Sequence, residues 1–143
     1  MSTNNKISLA GIYPTLPTPF FVNGDIDLGR LRRNLLRNSE YCSGYVLQGS
    51  NGEYVFLDHK ERVSLVRTAR EVIHSSQLLI VGSGMESTSA TIDLTKCMSD
   101  AGADIVLVIT PHYYRGSMSL KALEYHYMQI ASKSPVPVLL DSA

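Results

Sequence analysis

The sequence predicts an α/β fold in which strands and helices alternate around a parallel sheet. Three observations lead there. Apolar runs rich in β-branched residues recur at roughly 30-residue steps along the 143-residue chain. Each run is continuously apolar rather than alternating, as strands buried on both faces are. The stretches between the runs carry apolar residues at helical spacing.

The expected strands are, in order, Gly11-Ile12-Tyr13, Gly44-Tyr45-Val46-Leu47, Leu78-Leu79-Ile80-Val81, Ile105-Val106-Leu107-Val108-Ile109 and Val136-Pro137-Val138-Leu139-Leu140. After the first, Leu28, Leu31, Leu35 and Leu36 form one helical stripe. The second helix opens on Asp58 and Glu61, a D-x-x-E variant of the capping box, and turns Leu65, Val66, Ala69, Val72 and Ile73 inward. The third carries Leu94, Met98 and Ala101 and stops at Gly102, where glycine tolerates a left-handed end. The fourth starts near Ser119, with Leu123, Tyr127, Ile130 and Ala131 inward, and ends before Pro135.

Composition narrows the function classes. Hydrophobic residues make up 44% and charged residues 18%, an ordinary globular balance with no membrane-length apolar run. Thirteen basic and thirteen acidic residues cancel, so neither nucleic acid nor an anionic membrane is expected as a partner. Arg30, Arg32 and Arg33 read as a solvated helix face. Cys42 and Cys97 fit no metal spacing and read as free thiols. No signal peptide or Arg-rich transit peptide is visible. No H-x-x-x-H, C-x-x-C or Ser-His-Asp pattern appears, so no metal is expected.

Two architectures use this plan, an open doubly wound sheet and a (β/α)8 barrel. The first strand-to-helix link has no G-x-G-x-x-G, which removes support for a dinucleotide fold. Four units and a fifth strand make about half of a barrel of ~250 residues. Residues 1–10 read as an N-terminal tail and 11–143 as an incomplete barrel domain. A domain does not normally finish on the tip of a buried strand. The chain is therefore expected to be truncated after about the fifth strand, as a splice variant, a frameshifted reading of the gene or a partial clone.

Barrel sites lie at the C-terminal ends of the strands, so the polar residues after each run are the candidates. They are Thr15, Thr18 and Pro19; Gln48–Glu53; Gly82-Ser83-Gly84; Thr110-Pro111-His112-Tyr113-Tyr114-Arg115; and Asp141 with Ser142. In Gly49-Ser50-Asn51-Gly52, glycines at positive φ would let successive N–H groups point inward as an anion nest, with Ser50 and Asn51 adding donors. The alternative is a solvent-exposed turn. Gly82-Ser83-Gly84 is a weaker version of a phosphate loop. Tyr113 and Tyr114, if extended, point opposite ways, one toward the site. His112 reads as a loop histidine, His59 and His74 as helix-face or helix-end residues, and His126 as a neighbour of a buried Tyr127.

Taken together, "TPF" (18–20), "GSNGE" (49–53) and "TPHYYRG" (110–116), each at a strand end, resemble the pyruvate-dependent class I aldolase superfamily of dihydrodipicolinate synthase and N-acetylneuraminate lyase. The Ser-Asn pair and "GSGMEST" look most like its 4-hydroxy-2-oxoglutarate aldolase subgroup. The similarity covers residues 11 to 142. It implies a (β/α)8 barrel, usually a homotetramer, with no metal or organic cofactor. A lysine forms a Schiff base with a 2-oxo acid, and the products for this subgroup are pyruvate and glyoxylate. By position, Gly49, Ser50 and Asn51 would hold the carboxylate. Ser50 would join a proton relay with Tyr114, supplied across a subunit contact. The resemblance also implies a mitochondrial location, with the cytoplasm as the alternative.

Two departures stand against full activity. The family's catalytic tyrosine at the fifth strand end is replaced by Asp141, which matches neither the charge nor the reach of a phenol with pKa near 10. The Schiff-base lysine belongs to a sixth strand beyond this chain. Lys6, Lys60, Lys96, Lys121 and Lys133 lie in the tail or on helices, and without an amine in the site imine chemistry has no nucleophile. The chain as written is expected to be inactive. The alternatives are a non-catalytic fragment that associates with full-length subunits, and another pyruvate-dependent aldolase of the dihydrodipicolinate synthase or sugar-acid type.

Overall fold

A computed structural model of the protein describes residues 7–37 and 39–141. Lys6, Ser142 and Ala143 lie outside the described residues, as does most of the expected tail; Ile7 to Ala10 are exposed and without regular structure. Helices and strands alternate: α1 (Leu28–Arg37), β1 (Gly44–Leu47), α2 (His59–Val72), β2 (Leu78–Gly82), α3 (Thr88–Asp100), β3 (Ile105–Ile109), α4 (Leu120–Lys133) and β4 (Val138–Asp141). The strands form one parallel sheet in the order β1-β2-β3-β4. Tyr45 pairs with Leu79, Ile80 with Ile105, and Leu107 with Leu139.

The two faces of this sheet separate the architectures that the sequence left open. Tyr45, Leu47, Leu79, Val81, Val106 and Val108 face a large core shared with Leu31 and Leu35 of α1, Leu65, Val66 and Ala69 of α2, Leu94 and Met98 of α3 and Ile130 of α4. The intervening residues Val46, Ile80 and Ile105 form a second cluster with Leu78, Leu107, Leu139 and Tyr13. Side chains alternate across a strand, so every helix packs on one face. A doubly wound sheet carries helices on both faces. Sequential parallel strands with helices outside build an arc of a (β/α)8 barrel.

The helix signals work as chemistry. Asp58 accepts from the Glu61 N–H at 2.8 Å while the Glu61 carboxylate accepts from the Asp58 N–H at 2.8 Å, closing the capping box of α2. Ser87 and Ser119 cap α3 and α4 through Ala90 N and Ala122 N. Gly102 follows α3 with φ +113. Two stripe positions differ from the expectation: Leu36 and Ala131 are exposed, each one residue round the helix from a buried neighbour, Leu35 and Ile130.

The expected first strand needs a larger correction. Gly11-Ile12-Tyr13 is not a strand, and Ile12 is exposed. The chain lies beside β1 slightly later. The Ile12 and Pro14 carbonyls accept from Ser43 N and Val46 N, and Leu16 N donates to the Val46 carbonyl. Among the described residues, the pairing between this segment and β1 amounts to one isolated parallel bridge, Thr15 with Val46. Pro14 and Pro17 have no N–H to give, so a regular ladder cannot extend through this segment. Among the described residues no helix is long and apolar enough to cross a membrane.

Candidate active site at the strand ends

The β1 strand ends at Leu47, and the chain turns sharply at Gln48. Gly49 follows in an extended conformation (φ −76), and Ser50–Gly52 make a 3-10 turn closed by Gly52 N on the Gly49 carbonyl at 2.9 Å. The left-handed positions are not the glycines the sequence suggested. They are Gln48 (φ 58) and Glu53 (φ 53), which bracket the turn. Non-glycine residues held there cost about 1–3 kcal/mol each and persist only where neighbours over-determine them.

Those neighbours can be named. The Gln48 side chain is 2% exposed; its Nε2 donates to the Arg62 carbonyl at 2.7 Å, and its Oε1 accepts from Arg62 Nε at 2.8 Å. Arg62, 3% exposed, also donates from Nη2 to the Gly82 carbonyl at 2.8 Å and reaches Met85 Sδ at 3.3 Å. Its guanidinium lies 5.3 Å from the centre of the Tyr54 ring, a cation–π distance. Among the described residues no carboxylate forms an ion pair with Arg62. Burial pushes the guanidinium down to about 10, opposed by Tyr54, so it remains charged at neutral pH. Burial also raises the Tyr54 phenol, against the pull of Arg62.

The "TPF" segment supports the turn from the other side. Thr18 Oγ1 donates to the Gly52 carbonyl at 2.6 Å, and Asn51 Nδ2 donates to Thr15 Oγ1 at 3.0 Å. Two of the three strand-end motifs therefore meet. Ser50 and Asn51 are both exposed, and no acceptor among the described residues takes their backbone N–H groups.

Gly82-Ser83-Gly84 is a packing feature and not a phosphate loop. A Cβ on Gly82 would stand 2.0 Å from the Gln48 carbonyl, and one on Gly84 would meet the Ile109 backbone at 3.0 Å. Ser83 is fully buried and bonds to Thr95 Oγ1 at 2.8 Å.

The loop after β3 is tied down by Glu86. Its carboxylate accepts from the N–H groups of His112 and Tyr113, each at 3.1 Å, and lies 3.2 Å from His112 Nδ1. Tyr113 and Tyr114 do not point opposite ways. Their rings meet edge to face at 4.9 Å, because the chain enters a 3-10 turn at Arg115 rather than running extended.

A cavity of about 630 Å³ joins Ser50 and Tyr54 to Thr110, His112 and Arg115. A crevice of about 10 Å³ joins Ser50 and Gly49 to Asp141, at the tips of all four strands. Tyr114, 71% exposed, lines neither. The site thus brings Gly49, Ser50 and Asp141 together within this chain, holds Asn51 beside Thr15, and leaves Tyr114 apart.

Lys60, Lys96, Lys121 and Lys133 are exposed on α2, α3 and α4 and line neither cavity. Among the described residues no group of three His, Cys, Asp or Glu could hold a metal ion. His126, expected only as a neighbour of a buried Tyr127, is itself the buried one of the pair. The sequence reading missed Tyr54, Arg62 and Glu86. Arg62 left a signal: it falls on the stripe of α2 that also buries Leu65, Val66 and Ala69.

Residues 8–142 match the dihydrodipicolinate synthetase family. A probable mitochondrial 4-hydroxy-2-oxoglutarate aldolase of Emericella nidulans is 37% identical over 95% of this chain and 46% of its own length. A 4-hydroxy-tetrahydrodipicolinate synthase of Methanothrix thermoacetophila is 36% identical over 91% of this chain and 43% of its own. Among solved structures, a dihydrodipicolinate synthase from Bacillus anthracis superposes with TM-score 0.80 at 34% identity, over 91% of this chain and 44% of that one. CdNal from Clostridium difficile, solved in complex with mannosamine, shares the fold with TM-score 0.86 at 24% identity, over 94% and 46%. The chain spans about half the length of the relatives it matches.

Proposed function

Because the chain belongs to the dihydrodipicolinate synthetase family, we propose that the turn after β1 is the carboxylate cradle of a pyruvate-dependent, Schiff-base aldolase or lyase. The substrate class is a 2-oxo acid, and the likeness to a named 4-hydroxy-2-oxoglutarate aldolase favours that acid, cleaved to pyruvate and glyoxylate. The observation that carries the reading is the pair of N–H groups on Ser50 and Asn51 at the strand tips, which no acceptor among the described residues takes. Such donors suit an anion, and a buried cation, Arg62, is bonded to Gln48 at the entry of the same turn.

This 143-residue chain holds the acid without turning it over. The family chemistry needs an amine that attacks the 2-oxo carbon, and Asp141 stands where the relay needs a phenol. The location of the aldolase relative supports a mitochondrial setting. A second reading, association with another subunit, is favoured by β4, which pairs with β3 alone among the described residues. In light scattering, that reading requires a dimer or larger species; a monomer at every concentration excludes it.

The test of the main reading has two parts. Pyruvate titrated into the purified chain should shift the amide resonances of Gly49–Gly52, and no shift removes the cradle. Pyruvate plus borohydride should leave the mass unchanged, and a reduced adduct on any lysine refutes the inactivity.

A further inference from the structure

Arg62 stands out as a buried cation whose partners are all neutral. Its five interactions go to three segments: two to Gln48 at the entry of the turn, one to Tyr54 at its exit, and one each to Gly82 and Met85 at and just beyond the end of β2. The two left-handed non-glycine residues flank the same turn, Gln48 at the entry and Glu53 next to Tyr54. The turn is open around Gly49 and Ser50. Nothing lies within 4 Å of where a Gly49 Cβ would be, and Ser50 is exposed.

We propose that Arg62 is the positioning residue of the cradle: it grips Gln48, stacks on Tyr54 and bonds the β2 terminus, and so sets where Ser50 and Asn51 present their donors. The proposal deepens the cradle reading and rests on it for the identity of the bound anion. The fork of the guanidinium is what the geometry uses. Nε serves Gln48, Nη2 serves Gly82 and Nη1 serves Met85, each in a direction a lysine ammonium cannot reproduce at once. The charge contributes as well. A desolvated cation with only dipolar partners keeps its field largely unscreened, and that field favours a carboxylate at the turn.

Arg62→Lys keeps the charge and removes the fork, so it separates the two contributions. Pyruvate affinity and the 49–52 amide resonances are read at a temperature where the variant is fully folded by circular dichroism. The expected result is a loss of at least about tenfold in pyruvate affinity, with resonances of 49–52 displaced and those of β3 and β4 unmoved. A merely structural Arg62 would lower the melting temperature and leave affinity and the 49–52 resonances of the folded protein unchanged, and that result overturns the proposal.

If Arg62→Lys does not fold, Tyr54→Leu removes only the stacking contact at the exit. It should weaken pyruvate binding by a smaller factor, and an unchanged affinity and turn again overturn the proposal. Wild-type protein that binds no pyruvate refutes the cradle reading alone. The displacement of 49–52 in Arg62→Lys then decides the positioning role, for it if present and against it if absent.

Discussion

β2 and β4 lie two strands apart in one sheet, and each carries a pair of leucines. In β2, Leu79 and Val81 are fully buried against the helices while Ile80 is buried on the opposite face. In β4, Val138 and Leu139 are only half-buried and Leu140 is 61% exposed. The residues are similar, but the neighbours differ. Strands flank β2 on both sides, whereas β4 has β3 on one side alone among the described residues. An apolar run supplies the capacity for burial; the number of elements packed around it decides how much burial is realised.

The largest expected effect follows from that contrast. Leu79→Ala should destabilise by about 2–5 kcal/mol, the range for a leucine removed from a well-packed core. Leu140→Ala should change stability by less than about 0.5 kcal/mol, as at a surface position. Urea midpoints of the two variants measure both values. Comparable losses would mean that β4 is buried by something the chain recruits in solution, and the contrast between the strands would collapse.

Two glycines sharpen the comparison at the mouth of the barrel. A methyl on Gly82 would meet the Gln48 backbone carbonyl at 2.0 Å, so Gly82→Ala should push β1 and β2 apart and cost about 1–3 kcal/mol. Gly49 has φ −76, which any residue adopts, and open space around it. Gly49→Ala should be neutral or stabilise by up to about 1 kcal/mol through the unfolded chain. Thermal melts of the pair distinguish a glycine needed for close approach from one that is not.

Those glycines also show what the sequence could and could not carry. The helices, the strand identities and the capping box were legible because each depends on spacing within a few residues. Glycine conformation was not. Gly49 and Gly52 read as the left-handed positions, yet Gln48 and Glu53 adopt them, because Arg62, 14 residues beyond Gln48, grips the entry of the turn and stacks on Tyr54 at its exit. Arg62 itself was readable as a charge on a buried stripe. The Glu86 clamp on the His112 loop left no local trace, since its partners lie 26 and 27 residues further along the chain. Tyr114 fell outside the site that Ser50 shares with Asp141, and the subunit contact that would bring it back is a matter for the association measurement.

The smaller loss of the cap should appear on the well-packed side of the sheet. Asp58→Ala removes the acceptor for Glu61 N and frees the Glu61 carboxylate from its reciprocal bond, at about 1 kcal/mol. α2 should fray at its first turn, read as faster amide exchange over residues 59–62 with the remainder of the helix protected. Equal acceleration throughout α2 would show that the helix, and with it Arg62, depends on the cap more than on its packing.

The gentlest effect is a slope in pH, on the thinly covered side. His126 of α4 is 3% exposed; its Nδ1 bonds Thr88 Oγ1 at the start of α3 at 2.8 Å, and its Nε2 has no partner among the described residues. Burial lowers its pKa below the usual 6.5, although Glu86 pulls it upward. The unfolded chain then binds this proton more readily than the folded one. Stability is complete above pH 6.5 and declines as pH falls from there toward the folded value. Melting temperatures between pH 7.5 and 5.5 should fall for the wild type, and more shallowly for His126→Phe. Amide exchange should accelerate in α4 before β2, because the α3–α4 contact is where the charge would be placed. An identical slope in the variant would assign the pH dependence to other groups and leave α4 as firmly seated as α2.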